Sequence, residues 1–388
     1  MTRPRVLVVI GTRPEAIKMA PVAEALRSRA DLVESAVALT GQHTDMVDQA
    51  LEAFSIIPDF DLDIMKSGQT LYDVGRGCME GLRDMIREFA PAMMLVQGDT
   101  ASVFFGSLVG FFERIQVGHV EAGLRSRNRW APYPEELFRQ MTDTLAELHF
   151  APTALARQNL LDEGISEASI HVTGNTVVDA LLRLAHREAE IEDRVLAELL
   201  AGGGPLVLLT AHRRESFGEP LCRVFRAVRE IADRCPDVQV IYPVHPNPQV
   251  VRPAREHLAD HPRVHLTDPL AYPDLLRALK RASLVLTDSG GIQEEAPTFG
   301  TPVLVLREVT ERPEGVAAGV ARLVGTDRAR IVAEALAALA GGNGEGDREG
   351  GFANPYGDGD AAERIADIVA QRLTGVPRRT RDWLPEAP

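Results

Sequence analysis

The chain has 388 residues, 45% of them hydrophobic and 25% charged, which is enough for two α/β domains of ordinary size. That composition excludes disordered, collagenous and membrane-spanning classes, and a net charge of -14 opposes non-specific binding to nucleic acid or an anionic membrane. Cys78, Cys222 and Cys235 are widely spaced, with no C-x-x-C pair and no disulfide framework, which suits a reducing cytoplasm.

The first apolar run, Val6 to Gly11, ends at Arg13 and is too short for a signal peptide, so it predicts a buried first strand. Further strands are predicted over Val33–Thr40, Ala92–Gln97, Gln116–Val120, Leu148–Ala151 and Ile170–Thr173. After a break come Pro205–Thr210, Val238–Pro243, Val264–Leu266, Leu284–Thr287, Val303–Leu306 and Arg322–Val324. These runs are apolar on both faces, and amphipathic stretches such as Ala16–Arg29 and Leu221–Arg234 alternate with them. The pattern is that of parallel strands covered by helices, joined by right-handed crossovers.

Such units are too many for one sheet, and they divide evenly around 176–204. Two doubly wound, Rossmann-like domains are therefore expected, over 1–176 and 177–360, with the Gly202-Gly203-Gly204-Pro205 stretch as the hinge. Asp360 and Glu363 predict a capping box for a final helix over 361–374, and 375–388 reads as a loose tail.

The informative residues follow the strands. Gly11-Thr12-Arg13, Gly41-Gln42-His43, Gly98-Asp99-Thr100, Glu121, Gly174-Asn175, His212-Arg213, His245 and Asp288-Ser289-Gly290-Gly291 each begin where a strand ends. Ligands bind at that edge of open α/β sheets, so one active site shared by two edges across an interdomain cleft is expected. The Asp288–Gly291 turn opens a helix whose free N–H groups suit a diphosphate, with Glu295 placed to accept ribose hydroxyls. Arg13, Lys18 and Arg312 add cations. Asp99, Glu121 and Glu135 suit proton transfer at a sugar carbon, although Asp99 as a helix cap and Glu135-Glu136 as first-turn acids remain open readings. His119-x-Glu121 is half a metal site at most, and no metal is expected. His171, His186, His257, His261 and His265 read as structural. There is no Walker A loop, and Gly75-x-Gly77 lies in a helical stretch rather than after the first strand, so neither NTP hydrolysis nor a tightly bound NAD is expected, and no cofactor is assigned.

With these residues in place, the chain resembles the non-hydrolysing UDP-N-acetylglucosamine 2-epimerases of the two-domain GT-B scaffold. The resemblance is carried in order by Gly11–Pro21, Thr40–His43, Gln97–Thr100, His119–Arg125, Pro134–Glu136, Thr173–Asn175, His212–Glu215, Pro243–Pro248, Asp288–Pro297, Thr310–Glu314 and Asn354–Gly359. It implies reversible conversion of UDP-GlcNAc to UDP-ManNAc by elimination and re-addition of UDP through a 2-acetamidoglucal. It implies catalytic roles for Asp99, Glu121, Glu135 and His212. Substrate contacts would come from Arg13, Lys18, Arg139, Asn175, Leu275, Ser289, Gly290, Gly291, Glu295 and Arg312. It also implies a cytoplasmic homodimer whose final helix packs back on the first domain.

The sequence departs from its relatives at three positions. Leu275 stands where relatives can carry an aromatic ring against uracil. Gln42, His43, Arg213 and His245 match positions implicated in activation by a second UDP-GlcNAc, but Asp45 replaces a frequent Gln there and Gly68 a frequent Arg. Weakened activation is the expectation. Rival readings are a hydrolysing 2-epimerase releasing ManNAc and UDP, a GT-B glycosyltransferase, and an inactive nucleotide-sugar sensor.

Overall fold

A computed structural model describes residues 3–41, 51–52, 54–64, 68–185, 190–341 and 354–384. The chain divides into two compact units. The first runs to Ala180 and resumes at Tyr356; the second is Leu181–Pro355.

The first unit is built on strands β1 (Arg5–Ile10), β2 (Glu34–Leu39), β3 (Phe60–Asp61), β4 (Met93–Gln97), β5 (Gln116–Val120), β6 (Leu148–Ala151) and β7 (Ile170–Val172). All pairings are parallel, in the order β3-β2-β1-β4-β5-β6-β7. Val6 to Ile10 are at most 1% exposed, as a strand covered on both faces requires. The order reverses direction between β1 and β4, and that switch point leaves a crevice at the carboxyl ends of those strands.

The second unit repeats the plan with β8 (Leu206–Thr210), β9 (Gln239–Pro243), β10 (Val264–Thr267), β11 (Leu284–Thr287), β12 (Val303–Val305) and β13 (Ala321–Leu323). Its parallel order is β10-β9-β8-β11-β12-β13, with the reversal between β8 and β11. Helices such as Glu219–Arg234 and Arg328–Ala340 bury Val224, Phe225, Val228, Ile231, Ile331 and Val332 against it. The α/β class with two doubly wound parallel sheets is thus what the chain forms.

Four local features differ from the sequence expectation. Strand β3 has only two residues, set among aspartates, and offers no apolar run to detect. The division between units falls within the helix Thr176–Ala185, while Gly202-Gly203-Gly204 lies inside the second unit as the entry to β8. The final helix, Ala361–Thr374, has no side-chain cap from Asp360; the Asp179 carboxylate accepts from the N–H groups of Ala361 (3.3 Å) and Ala362 (2.8 Å) instead. That helix packs on the helix Arg13–Arg27, and Arg29 reaches Glu363 at 2.7 Å.

The tail is also not loose over its described part. Val172 on the edge strand β7 donates to the Asp382 carboxylate (3.0 Å) and accepts from the Trp383 N–H (2.8 Å), and Trp383 is buried. A row of edge N–H and C=O groups needs a cover, and this segment supplies it.

Candidate active site

At the first switch point the loop after β1 carries Thr12 and Arg13, and the loop after β4 carries Gly98, Asp99 and Thr100. Gly11 is required because a Cβ there would meet the Ser102 side chain at 2.5 Å. Glu15, in the first turn of Arg13–Arg27, is buried and accepts from Gly11 N (2.7 Å), Thr12 Oγ1 (2.9 Å) and Thr100 Oγ1 (2.8 Å), lacing the two loops together. Burial pushes its carboxyl up to about 7; the hydrogen bonds oppose that shift and the Asp99 charge adds to it.

Glu121 follows β5 in left-handed backbone, with φ +66°, a conformation rare outside glycine. The residue is 8% exposed, and its carboxylate accepts from Lys18 Nζ (2.7 Å), Asn175 Nδ2 (3.3 Å) and Gln97 Nε2. A side chain built on Gly98 would begin 4.0 Å from Glu121 Oε2, so the carboxylate lies against the residue preceding Asp99. Asp99 does not cap the next helix; Thr100 holds that position, and the Asp99 carboxylate is paired with Arg139. Glu135 and Glu136 open the helix Glu135–Leu145 as first-turn acids. Glu136 is buried and accepts from Ser126 N and Arg127 N, each at 3.0 Å, fixing the loop before it. Glu135 is half-buried and makes no side-chain hydrogen bond or ion pair among the described residues. The same holds for Arg13.

The Lys18 ammonium is paired with the buried Glu121 carboxylate. Arg312 is likewise paired, with Glu294, while Arg307 pairs with Glu311 at 2.7 Å.

At the second switch point Asp288 organises the edge. Its Oδ2 accepts from His212 N (2.7 Å) and Arg213 N (2.8 Å), binding the loop after β8 to the end of β11. Tyr242 donates to the Ala211 carbonyl at 2.6 Å and pins the same loop from β9. The His212 ring stacks on His245 at 5.2 Å with an 11° interplanar angle, and its Nδ1 lies 3.7 Å from Asp288 Oδ1. Burial holds the His212 imidazole below the ordinary histidine range; Asp288 opposes this, and His245 and Arg213 reinforce it. The ring is neutral at neutral pH and can donate or accept a proton. Ser289 is the N-cap of the short helix Gly290–Glu295, which exposes Gly291. The Arg213 guanidinium stands over this turn, 3.7 Å from where a Gly290 side chain would begin, and makes no side-chain hydrogen bond or ion pair among the described residues. Glu295 faces the Tyr272 hydroxyl at 3.5 Å. Leu275 is half-buried on the helix Tyr272–Arg281, and His245 is exposed.

Of the candidate activator positions, Gln42, His43 and Asp45 lie outside the described residues. Gly68 has φ +76° and open space where a side chain would stand. No group of three or more His, Cys, Asp or Glu among the described residues could hold a metal ion.

Sequence reasoning did not single out Glu15, Gln97 or Asp143, read Glu136 only as a first-turn acid, and read His119 only as half a metal site, whereas the His119 ring nitrogen and the Asp143 carboxylate are 2.6 Å apart. All are buried polar groups beside the edge. The available signal was a charged or amide side chain within an otherwise apolar element, as in Gln97 closing β4.

Residues 24–370 match the family model described as UDP-N-acetylglucosamine 2-epimerase. The UDP-N-acetylglucosamine 2-epimerase of Bacillus subtilis (strain 168) is 47% identical over 369 residues, covering 95% of each chain. A crystal structure of a UDP-N-acetylglucosamine 2-epimerase superposes with a TM-score of 0.88 at 44% identity, over 99% of this chain and all of that one. The Neisseria meningitidis UDP-GlcNAc 2-epimerase, solved bound to UDP-GlcNAc, gives 0.84 at 40% identity, over 95% of this chain and 100% of its own. With its two switch-point edges and this likeness along nearly its whole length, the chain belongs to the UDP-N-acetylglucosamine 2-epimerase family.

Proposed function

We propose that the protein interconverts UDP-GlcNAc and UDP-ManNAc, the first unit's edge moving the C2 proton and the second unit's edge holding the diphosphate. The observation that carries this is the acid pair at the first switch point. Glu121 is paired with Lys18 and Asp99 with Arg139, on the loops that follow β5 and β4, with the Glu121 carboxylate against Gly98.

The C2 hydrogen of the sugar is not beside a carbonyl, so its removal must accompany departure of UDP from C1. A carboxylate takes the C2 proton, the C–H electrons form the C1=C2 bond, and the C1–O electrons leave with UDP. In reverse, a carboxylic acid returns a proton to the opposite face of C2 while UDP adds to C1. At least two proton-handling groups are needed, and they are drawn from Asp99, Glu121 and Glu135. The departing diphosphate develops charge, which the N–H groups at Ser289–Gly291, the Arg213, Arg13 and Arg312 guanidinium groups, and the neutral His212 ring stabilise. Leu275 packs on uracil, and Glu295 accepts from the ribose.

Activation by a second substrate molecule is weakened, because Gly68 offers no side chain to a phosphate; a strongly sigmoidal rate curve against UDP-GlcNAc contradicts this. The exposed Phe111 and Phe112, at the end of the helix Ala101–Phe112, contribute to the homodimer face. Among the described residues no helix is long and apolar enough to cross a membrane, which agrees with a cytoplasmic enzyme.

The test is incubation with UDP-GlcNAc in D₂O, followed by proton NMR. UDP-ManNAc carrying deuterium at C2 is expected. Accumulation of free ManNAc with UDP establishes the hydrolysing reaction instead, and protium retained at C2 overturns the proton-transfer reading.

A further inference from the structure

Both acids invoked above stand on loops, and one buried histidine joins those loops. His119, the fourth residue of β5, is 0% exposed. Its Nε2 lies 2.8 Å from the carbonyl oxygen of Gly98, the residue before Asp99. Its Nδ1 lies 2.6 Å from Asp143 Oδ1. The other carboxylate oxygen of Asp143 accepts from Arg125 (2.7 Å) and from Gly123 N (3.3 Å), two residues after Glu121. Arg125 is completed by Glu163 at 2.6 Å.

The protonation follows from the partners. A carbonyl oxygen only accepts, so Nε2 carries a hydrogen. Burial opposes the Asp143 charge, but the facing His119 ring and Arg125 guanidinium outweigh it and hold the carboxyl below the usual carboxylate range. The remaining ring nitrogen, Nδ1, thus faces a carboxylate. The other ionisable ring nearby, His149, donates from Nε2 to the Asp143 main-chain carbonyl (2.8 Å) and leaves the carboxylate to His119.

Buried ion networks are rarely better for stability than apolar packing of the same volume. What this one supplies is geometry. Glu121 adopts left-handed backbone, and its N–H and that of Ala122 both converge on the Phe150 carbonyl (3.0 and 3.2 Å). Gly123, at φ +86°, has no room for a Cβ, which would collide with the Ala156 carbonyl. Such a turn persists only when its surroundings over-determine it. Asp143 holds its far end, and His119 ties that anchor to the Gly98–Asp99 loop.

We propose that His119, oriented by Asp143, is a positioning residue that sets the spacing between the Asp99 loop and the Glu121 turn for proton transfer at C2. The assignment rests on the epimerase reading above. It touches neither substrate nor the diphosphate-binding edge.

The experiment uses the full chain and the variants His119→Gln, Asp143→Asn and the double variant. Each is assayed for kcat, KM, C2 deuterium uptake from D₂O and UDP affinity by calorimetry. The expected result is a fall of about 30- to 100-fold in kcat and deuterium uptake together, with UDP affinity within about two-fold of wild type. The double variant should be no worse than the poorer single variant, since one unit is broken once. Wild-type turnover in folded variants overturns the proposal, as does a loss of UDP affinity that matches the loss of kcat. Should the variants fail to fold, ¹⁵N-histidine NMR of the wild type decides: a protonated, hydrogen-bonded Nε2 is expected for His119, tying it to the Gly98 carbonyl, and an Nε2 without a hydrogen contradicts it. A wild type that makes no UDP-ManNAc overturns the activity reading and this assignment with it; an active wild type with unaffected variants overturns this assignment alone.

Discussion

The two switch points share a topology and differ in what they do with charge. At the first, between β1 and β4, acids already hold cations: Glu121 with Lys18, Asp99 with Arg139. At the second, between β8 and β11, buried Asp288 accepts from two backbone N–H groups, and although Glu294 holds Arg312, the Arg213 cation over the glycine turn meets no carboxylate among the described residues. The crevice of a doubly wound sheet is therefore only an opportunity. On the proposed reading, paired acids make it a place to move protons, and glycine backbone with a guanidinium that meets no carboxylate among the described residues makes it a place to hold an anion.

The sharpest way to break that contrast is to remove one acid. Glu121→Gln should lower kcat by about 10²- to 10³-fold, the range expected for loss of a general acid or base, with little change in KM. Steady-state assay of UDP-ManNAc formation checks this, and a change confined to KM contradicts it. A smaller effect is expected at the other edge. Arg213→Ala should weaken UDP binding by about ten-fold, as for loss of one charged hydrogen bond, and leave C2 deuterium uptake at saturating substrate close to wild type.

The smallest effect concerns stability alone. The unfolded Glu15 carboxyl loses its proton near 4.5 and the buried one near 7. Across that window the folded state keeps a proton that the unfolded state has lost, so stability falls as pH rises and levels off above about 7. The full difference is on the order of 3 kcal/mol. Glu15→Gln should flatten this part of the stability profile, as urea melts at pH 5, 6 and 7 would show; an unchanged slope contradicts a protonated Glu15.

What could be read from the chain was whatever depends on near neighbours. Apolar runs located twelve of the strands within about a residue, and the polar residues just past them marked both edges. What could not be read depends on distant partners. Asp179 caps a helix more than 180 positions away, His119 meets Asp143 across 24 residues, and Trp383 covers β7 from the far end of the chain. Lys18 and Arg312 carry the charge expected of anion-binding residues, and only their placement beside Glu121 and Glu294 shows that each is already engaged. Glu15 lies in the first turn of its helix, and nothing local to the sequence shows that it is buried.

The division of labour between the edges is tested most directly by titrating UDP into the Glu121→Gln protein in a calorimeter, beside the wild type. The account predicts dissociation constants within about two-fold of each other, although turnover has fallen by orders of magnitude. A loss of UDP affinity as large as the loss of turnover would show that Glu121 serves binding of the diphosphate, and would contradict the assignment of proton transfer to one edge and anion holding to the other.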